Sequence, residues 1–261
     1  MKIHRIFAIV LRNLYTFRRT TERIFDAFYT PALNLVIWGI TGAYISKISE
    51  NLTPILLLIV SGLSFWLLVE RSQYESNVAL LEDIWTKNIS NIFISPLKFW
   101  EWIIGVTVIG VLKSMISLIT AFVVAFILYK INFFMYGFYL IPFILLLLMT
   151  GWWVSFLITG AILRYGTRVQ SFAWNLVFIL VPFSGVYYPI HSLPEWAQKV
   201  SAILPTTYVF DGIRQIILHH KLDIQNLYIS FFLNMLYLIL SLLLVKRSYD
   251  KMIERGMSQL V

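Results

Sequence analysis

Cysteine is absent from the 261 residues, which excludes disulfides, thiolate metal sites and cysteine nucleophiles. Charge is scarce as well. Asp, Glu, Lys and Arg make up 13% of the chain, against roughly 25% in an ordinary soluble domain. No G-x-x-x-x-G-K-[ST] loop is present, so this chain does not hold ATP in that way. H-E-x-x-H, G-x-S-x-G and an EF-hand loop are also missing. No Asp or Glu falls well inside an apolar run, and Glu70 and Glu101 are expected at the ends of spans. A proton-driven pump needs a carboxylate relay inside the membrane, so ion-driven transport is disfavoured.

What the chain has is apolar surface. Hydrophobic residues are 59% of it, and the mean hydropathy is +0.78. A soluble fold of this size has too little interior to hide them, which excludes a soluble enzyme. Six segments, at about 25–45, 53–69, 102–129, 136–163, 170–188 and 227–245, reach the roughly 20 residues a helix needs to cross a bilayer core. Apolar and polar residues do not alternate within them, so helices are expected rather than a barrel. The first span lacks a small-residue cleavage site and reads as retained rather than as a signal peptide.

The net charge of +8 is mainly a topology signal. With the N-terminus inside, fifteen of the 21 basic residues fall in inside segments, from Lys2, Arg5 and Arg12 to Lys251 and Arg255. Five lie outside: Lys47, Lys130, Lys199, Arg214 and Lys221. The bias predicts a multi-pass protein of the cytoplasmic (inner) membrane with both termini in the cytoplasm, touching anionic lipid rather than nucleic acid.

Three segments outside the spans are patterned. Residues 1–24 form an amphipathic helix, with Ile3, Ile6, Phe7, Val10, Leu14 and Phe17 at helical spacing and Arg5, Arg12 and Arg19 on another face. It is either a topology anchor on the inner leaflet or a contact for a partner. Residues 76–96 form a second amphipathic helix: Val78, Leu81, Ile84, Trp85, Ile89, Ile92 and Phe93 share one face, Glu82, Asp83, Thr86, Lys87, Ser90 and Asn91 the other, and Pro96 stops it. This helix either lies in the interface or docks a cytoplasmic protein. Residues 189–222 carry two short helices, re-entrant from the outer side. Ser192–Glu195 reads as a capping box with Pro194 in the first turn, and Thr206 or Thr207 caps the second helix after Pro205. Backbone folded back into the membrane in this way suggests a gate.

Few residues inside the membrane carry chemistry. Lys113, some twelve residues into the third span, either pairs with a carboxylate on a neighbouring helix or meets cargo. Asp211 and Arg214 stand three apart on the second outer helix and are placed to pair. Trp38, Phe65, Trp66, Trp152 and Trp153 sit deep and either line a path or pack between helices. Pro31 marks a kink or a first-turn position at the start of the first span. The pair His219-His220 suits a solvated interface better than a metal, since adjacent helical positions diverge by about 100°.

The order of these parts resembles the ABC-2-type permease family. The local sequence agrees at Ser184-Gly185-Val186-Tyr187-Tyr188-Pro189, at Leu193-Pro194-Glu195-Trp196, and at Leu204-Pro205-Thr206-Thr207-Tyr208 continuing to Asp211-Gly212-Ile213-Arg214. Ile94-Ser95-Pro96-Leu97 is similar too, while Leu204-Pro205 stands where the family commonly has Asn-Pro. The resemblance covers essentially the whole chain, as a single transmembrane permease domain of residues 1–261. It implies an all-α integral membrane fold and a non-catalytic homodimeric pore. Two copies of a separate ATPase would drive the pore, with ATP and Mg on that subunit and no cofactor here. Residues 76–96 would be the coupling helix, with Glu82, Asp83, Ile84, Trp85, Lys87 and Asn88 at the ATPase. Pro189, Leu193, Pro194, Pro205, Tyr208, Asp211 and Arg214 would form the outer gate. The family exports drugs, lipids, glycolipids and polysaccharides, so the cargo does not carry over. The alternatives are a membrane transferase acting on a lipid-linked sugar, which would need clustered carboxylates or histidines, and an ion-driven carrier or channel.

Overall fold

The computed structural model describes residues 1–48, 52–219 and 221–255, leaving aside the side chains of Glu22, Leu52, Thr53, Pro54, Ser90 and Phe93. His220 lies outside the described residues. The described residues form helices and turns, with no strand among them. The helices are α1 (Ile3–Arg19), α2 (Thr21–Ile48), α3 (Leu52–Trp85), α4 (Ile89–Ile94), α5 (Phe99–Tyr129), α6 (Leu140–Tyr165), α7 (Ser171–Leu180), α8 (Glu195–Ala202), α9 (Pro205–His219) and α10 (Ile224–Arg255).

Among the described residues, five helices are long and apolar enough to cross a membrane: Arg23–Ile48, Ile55–Trp85, Phe99–Tyr129, Phe133–Val169 and Ile224–Arg255. The chain is therefore all-helical and suited to multiple passes. The segment expected as another full span, 170–188, is instead an apolar helix of Ser171–Phe183 that ends early. Pro182 sits in its tight final turn, and Gly185 follows at φ 69°, so the helical ladder cannot continue.

α3 and α6 are the inner helices, and α2, α5 and α10 pack around them. The outer helices turn apolar side chains such as Ile40, Phe126 and Leu240 away from the bundle, as lipid-facing surfaces do. Polar hubs pin the inner helices. Asn77 of α3 accepts hydrogen bonds from Ser155 and Thr159 of α6. Asn234 of α10 accepts from Thr150 and Trp153 and donates to the Leu146 carbonyl.

α1, the expected amphipathic helix, packs on the bundle with one face. It follows the first turns of α5: Glu101 accepts from the Lys2 backbone N–H at 2.7 Å, Ile9 packs on Gly105, and Phe17 covers the Lys113 ammonium. A Cβ at Gly105 would meet Ile9 Cβ at 2.9 Å, so the absent side chain sets the approach. The expected helix of residues 76–96, by contrast, is not a separate element. α3 runs unbroken from Leu52 to Trp85 and ends in a Schellman-type turn, in which Asn88 N–H donates to Asp83 O and Lys87 N–H to Ile84 O. Lys87 takes the left-handed conformation, φ 54°. The short α4 follows.

Candidate functional site

Two cavities are stacked along one face of the bundle. The first, about 350 Å³, lies between α2, α3 and the end of α7, walled by Trp38, Trp66, Leu63, Phe178, Tyr187 and Tyr188, with Asn34 and Glu70 as its polar side chains. The Trp38 and Tyr187 rings stack at 5.1 Å. Glu70 is the midpoint of the stretch Ile55–Trp85. The second cavity, about 590 Å³, lies between α1, α2, α3 and α7, lined among others by Thr16, Arg23, Asp26, Tyr74, Glu75, Glu82 and Trp174.

Ion pairs hold the helices around these cavities. Arg71, buried, donates to the Asp26 carboxylate at 2.6 Å and to the Asp26 carbonyl at 3.1 Å. Asp26 lines the second cavity and Glu70, next to Arg71, lines the first, so this pair marks their boundary. Lys113 of α5 pairs with Glu75 of α3, both buried. Arg23 of α2 pairs with Glu82 of α3. Desolvation makes one member of a buried pair costly without its partner, so Lys113–Glu75, buried on both sides, fixes the register of α5 on α3.

The expected coupling residues lie at the end of α3 and in the turn after it, and two of the six, Asp83 and Ile84, are buried. Asp83, buried, accepts from Arg12 of α1 at 2.9 Å. Ile84 is buried with Ile9, Leu80, Ile89, Trp102 and Ile103 in one apolar cluster. α1 and α5 of the same chain thus cover part of the apolar face. Trp85 and Lys87 are exposed, and Asn88 is half-buried. Trp85 Nε1–H donates to Gln170 at 3.3 Å.

At the opposite end, α8 and α9 fold back on the bundle. Val209, Phe210, Ile213, Ile216 and Ile217 of α9 are buried against α3 and α6. Neither expected cap forms. Ser192 donates to Pro189 O rather than capping α8, and Pro194 is the N-cap with no side-chain bond. Thr206 instead shares a hydrogen bond with Ser184, and Thr207 donates to Phe183 O, so both hydroxyls tie α9 to the end of α7. Arg214 donates to the carbonyls of Gly185 and Tyr188 at 2.8 and 2.9 Å and lies 3.7 Å from Asp211. Burial pushes the Arg214 guanidinium below its ordinary range, while Asp211 pulls the other way. Asp211 also accepts from Gln215 and Asn226. Tyr208 donates to Ala202 O. Pro205 N-terminates α9, and its carbonyl accepts from Ser230 of α10. Pro189 and Leu193 flank a short turn.

The deep aromatic residues separate. Trp38 and Trp66 line the first cavity. Phe65 is fully buried, edge-on to Phe122, Phe133, Tyr136 and Phe143, and packs rather than lining a path. Trp153 packs on Tyr237 and bonds Asn234, and Trp152 is packed against both apolar clusters. Lys113 lines neither cavity. The sequence reading missed Asp26, Asn34, Glu75 and Tyr74 as cavity or pairing residues. Pro31 stands inside α2 rather than in its first turn. His219 is exposed, and no group of metal-ligating side chains occurs among the described residues.

A search of curated proteins returned no match. Residues 78–245, well over half of the chain, match the family model described as ABC-2 family transporter protein, and the chain belongs to that family.

Proposed function

We propose that the chain is the transmembrane permease of an ATP-driven exporter, working as a homodimer with two copies of a separate ATPase subunit that carries ATP and Mg. In this reading the termini face the cytoplasm, and the cargo is amphipathic: a drug, a lipid or a lipid-linked glycan. The observation that carries it is the unbroken α3. One helix runs about 33 Å from the exposed turn at Trp85–Lys87 to Leu63, the far edge of the first cavity's wall, passing Glu70 and Trp66 on the way. A push on the turn reaches the cavity wall through a rigid rod. The ATPase contact is the exposed surface of that turn with Asn91, Ile94 and Ser95. Glu82 and Asp83 act one step behind it, by holding Arg23 and Arg12. The outer gate is the turn 184–189 with α8 and α9, locked by Arg214.

The test is co-purification with an ABC ATPase subunit expressed together with this chain, followed by ATP-driven flux in proteoliposomes. Assembly and flux are expected. Turnover of a lipid-linked sugar by the purified chain, with no ATPase present, would replace this reading with a transferase.

A further inference from the structure

We infer that the cavity at Glu70 is a binding site for an amphipathic organic cation, with Glu70 as its counter-ion and Trp38, Trp66 and Tyr187 as its aromatic walls. The inference names the cargo class for the path proposed above and rests on that reading for the role of the cavity, though the binding itself does not.

Its basis is a census of charge. Of the carboxylates lining the two cavities, Asp26 is met by Arg71, Glu75 by Lys113 and Glu82 by Arg23. Glu70 has no hydrogen bond and no ion pair among the described residues, and no basic side chain lines its cavity. Of the four, Glu70 alone thus has no direct partner; the neighbouring Arg71 guanidinium acts on it only from a distance and is engaged by Asp26, and Glu70 directly follows the apolar run 55–69. A carboxylate in apolar surroundings is costly unless a cation meets it. A cation there also finds ring faces, which attract positive charge and cover the apolar body around it. The volume suits a small drug-sized molecule. An anion would be repelled by Glu70, and a neutral sugar would leave its charge unmatched.

The probe pair is tetraphenylphosphonium and tetraphenylborate, which share a shape and differ in sign. Each is titrated into the purified permease–ATPase complex in detergent, with tryptophan fluorescence as the readout. Tetraphenylphosphonium is expected to bind saturably and tetraphenylborate at least tenfold more weakly. Glu70→Gln is expected to weaken the cation at least tenfold while leaving the complex monodisperse. Equal binding of the two ions, or a cation affinity unchanged in Glu70→Gln, overturns the site. If Glu70→Gln does not assemble, Trp38→Ala, which truncates an exposed ring, takes its place: a loss of about fivefold is expected, and no loss overturns the proposal. A complex that hydrolyses ATP but ignores the cation removes the site and leaves the exporter. A chain that binds the cation through Glu70 but assembles with no ATPase keeps the site and removes the exporter.

Discussion

Arg12 donates to a carboxylate oxygen of Asp83 across 2.9 Å, tying the first helix to the last turn of α3. The two residues are 71 apart in the chain, and the bond places α1 against the element expected to receive force from the ATPase. Asp83 is buried and Arg12 is partly exposed, so the carboxylate depends on this partner more than the guanidinium does.

Removing that partner should therefore destabilise the protein without dissolving the complex. Arg12→Ala is expected to cost about 1.5–3 kcal/mol, the range for losing a hydrogen bond to a charged group. Thermal melting of the detergent-solubilised chain measures it. The exchanged pair Arg12→Asp with Asp83→Arg should recover part of the loss, and no recovery would mean that the bond is incidental.

Lys113 and Glu75 offer a sharper separation of structure from transport. Lys113→Met alone leaves a buried carboxylate and is expected to cost about 3–5 kcal/mol. Lys113→Met combined with Glu75→Met removes both charges and should restore most of the melting temperature. Transport by the double variant decides the role of Lys113: full ATP-driven flux marks the pair as structural, whereas a stable but inactive protein marks it as functional.

Lys87 ends α3 in a left-handed conformation that a side chain disfavours by roughly 1–2 kcal/mol. Lys87→Gly should stabilise the isolated permease by about 1 kcal/mol. If the turn meets the ATPase, the same variant should assemble more weakly with it. A stabilised chain with unchanged ATPase affinity would move the contact elsewhere.

Arg214 holds two carbonyls of the turn that follows α7. Arg214→Ala should free that turn and speed amide hydrogen exchange across residues 184–190 by about tenfold, the equivalent of one lost hydrogen bond of about 1.4 kcal/mol. Arg214→Lys supplies a single ammonium in place of the planar fork and should restore only part of the protection. Exchange confined to other segments would sever Arg214 from the gate.

Parts of this architecture were legible without coordinates. The apolar runs that became α2, α3, α5, α6 and α10 are each long enough to declare themselves, because lipid forces every backbone group in them into a helix. The extent of α3 was also on the page, though easily passed over. No glycine or proline occurs from Leu63 to Ser95, and a helix does not stop at a membrane surface merely because its side chains become polar. The early end of α7 had its own markers in Pro182 and Gly185. The caps read at Ser192 and Thr206 failed for a physical reason. A hydroxyl near a helix start bonds whichever acceptor packing brings closest, and here that acceptor lies on the preceding turn or on α7.

The sequence by itself determined that the chain is helical and that it crosses a membrane more than once. Those follow from properties each residue carries alone, summed over a window of about twenty. Only the tertiary structure decided that Glu75 answers Lys113, that Asp26 answers Arg71, and that Glu70 is left with no hydrogen bond or ion pair among the described residues. A charge pair depends on which helix faces are turned together across 38 or 45 residues of chain. No periodicity within one helix records that rotation, because it is set by the packing of the neighbours.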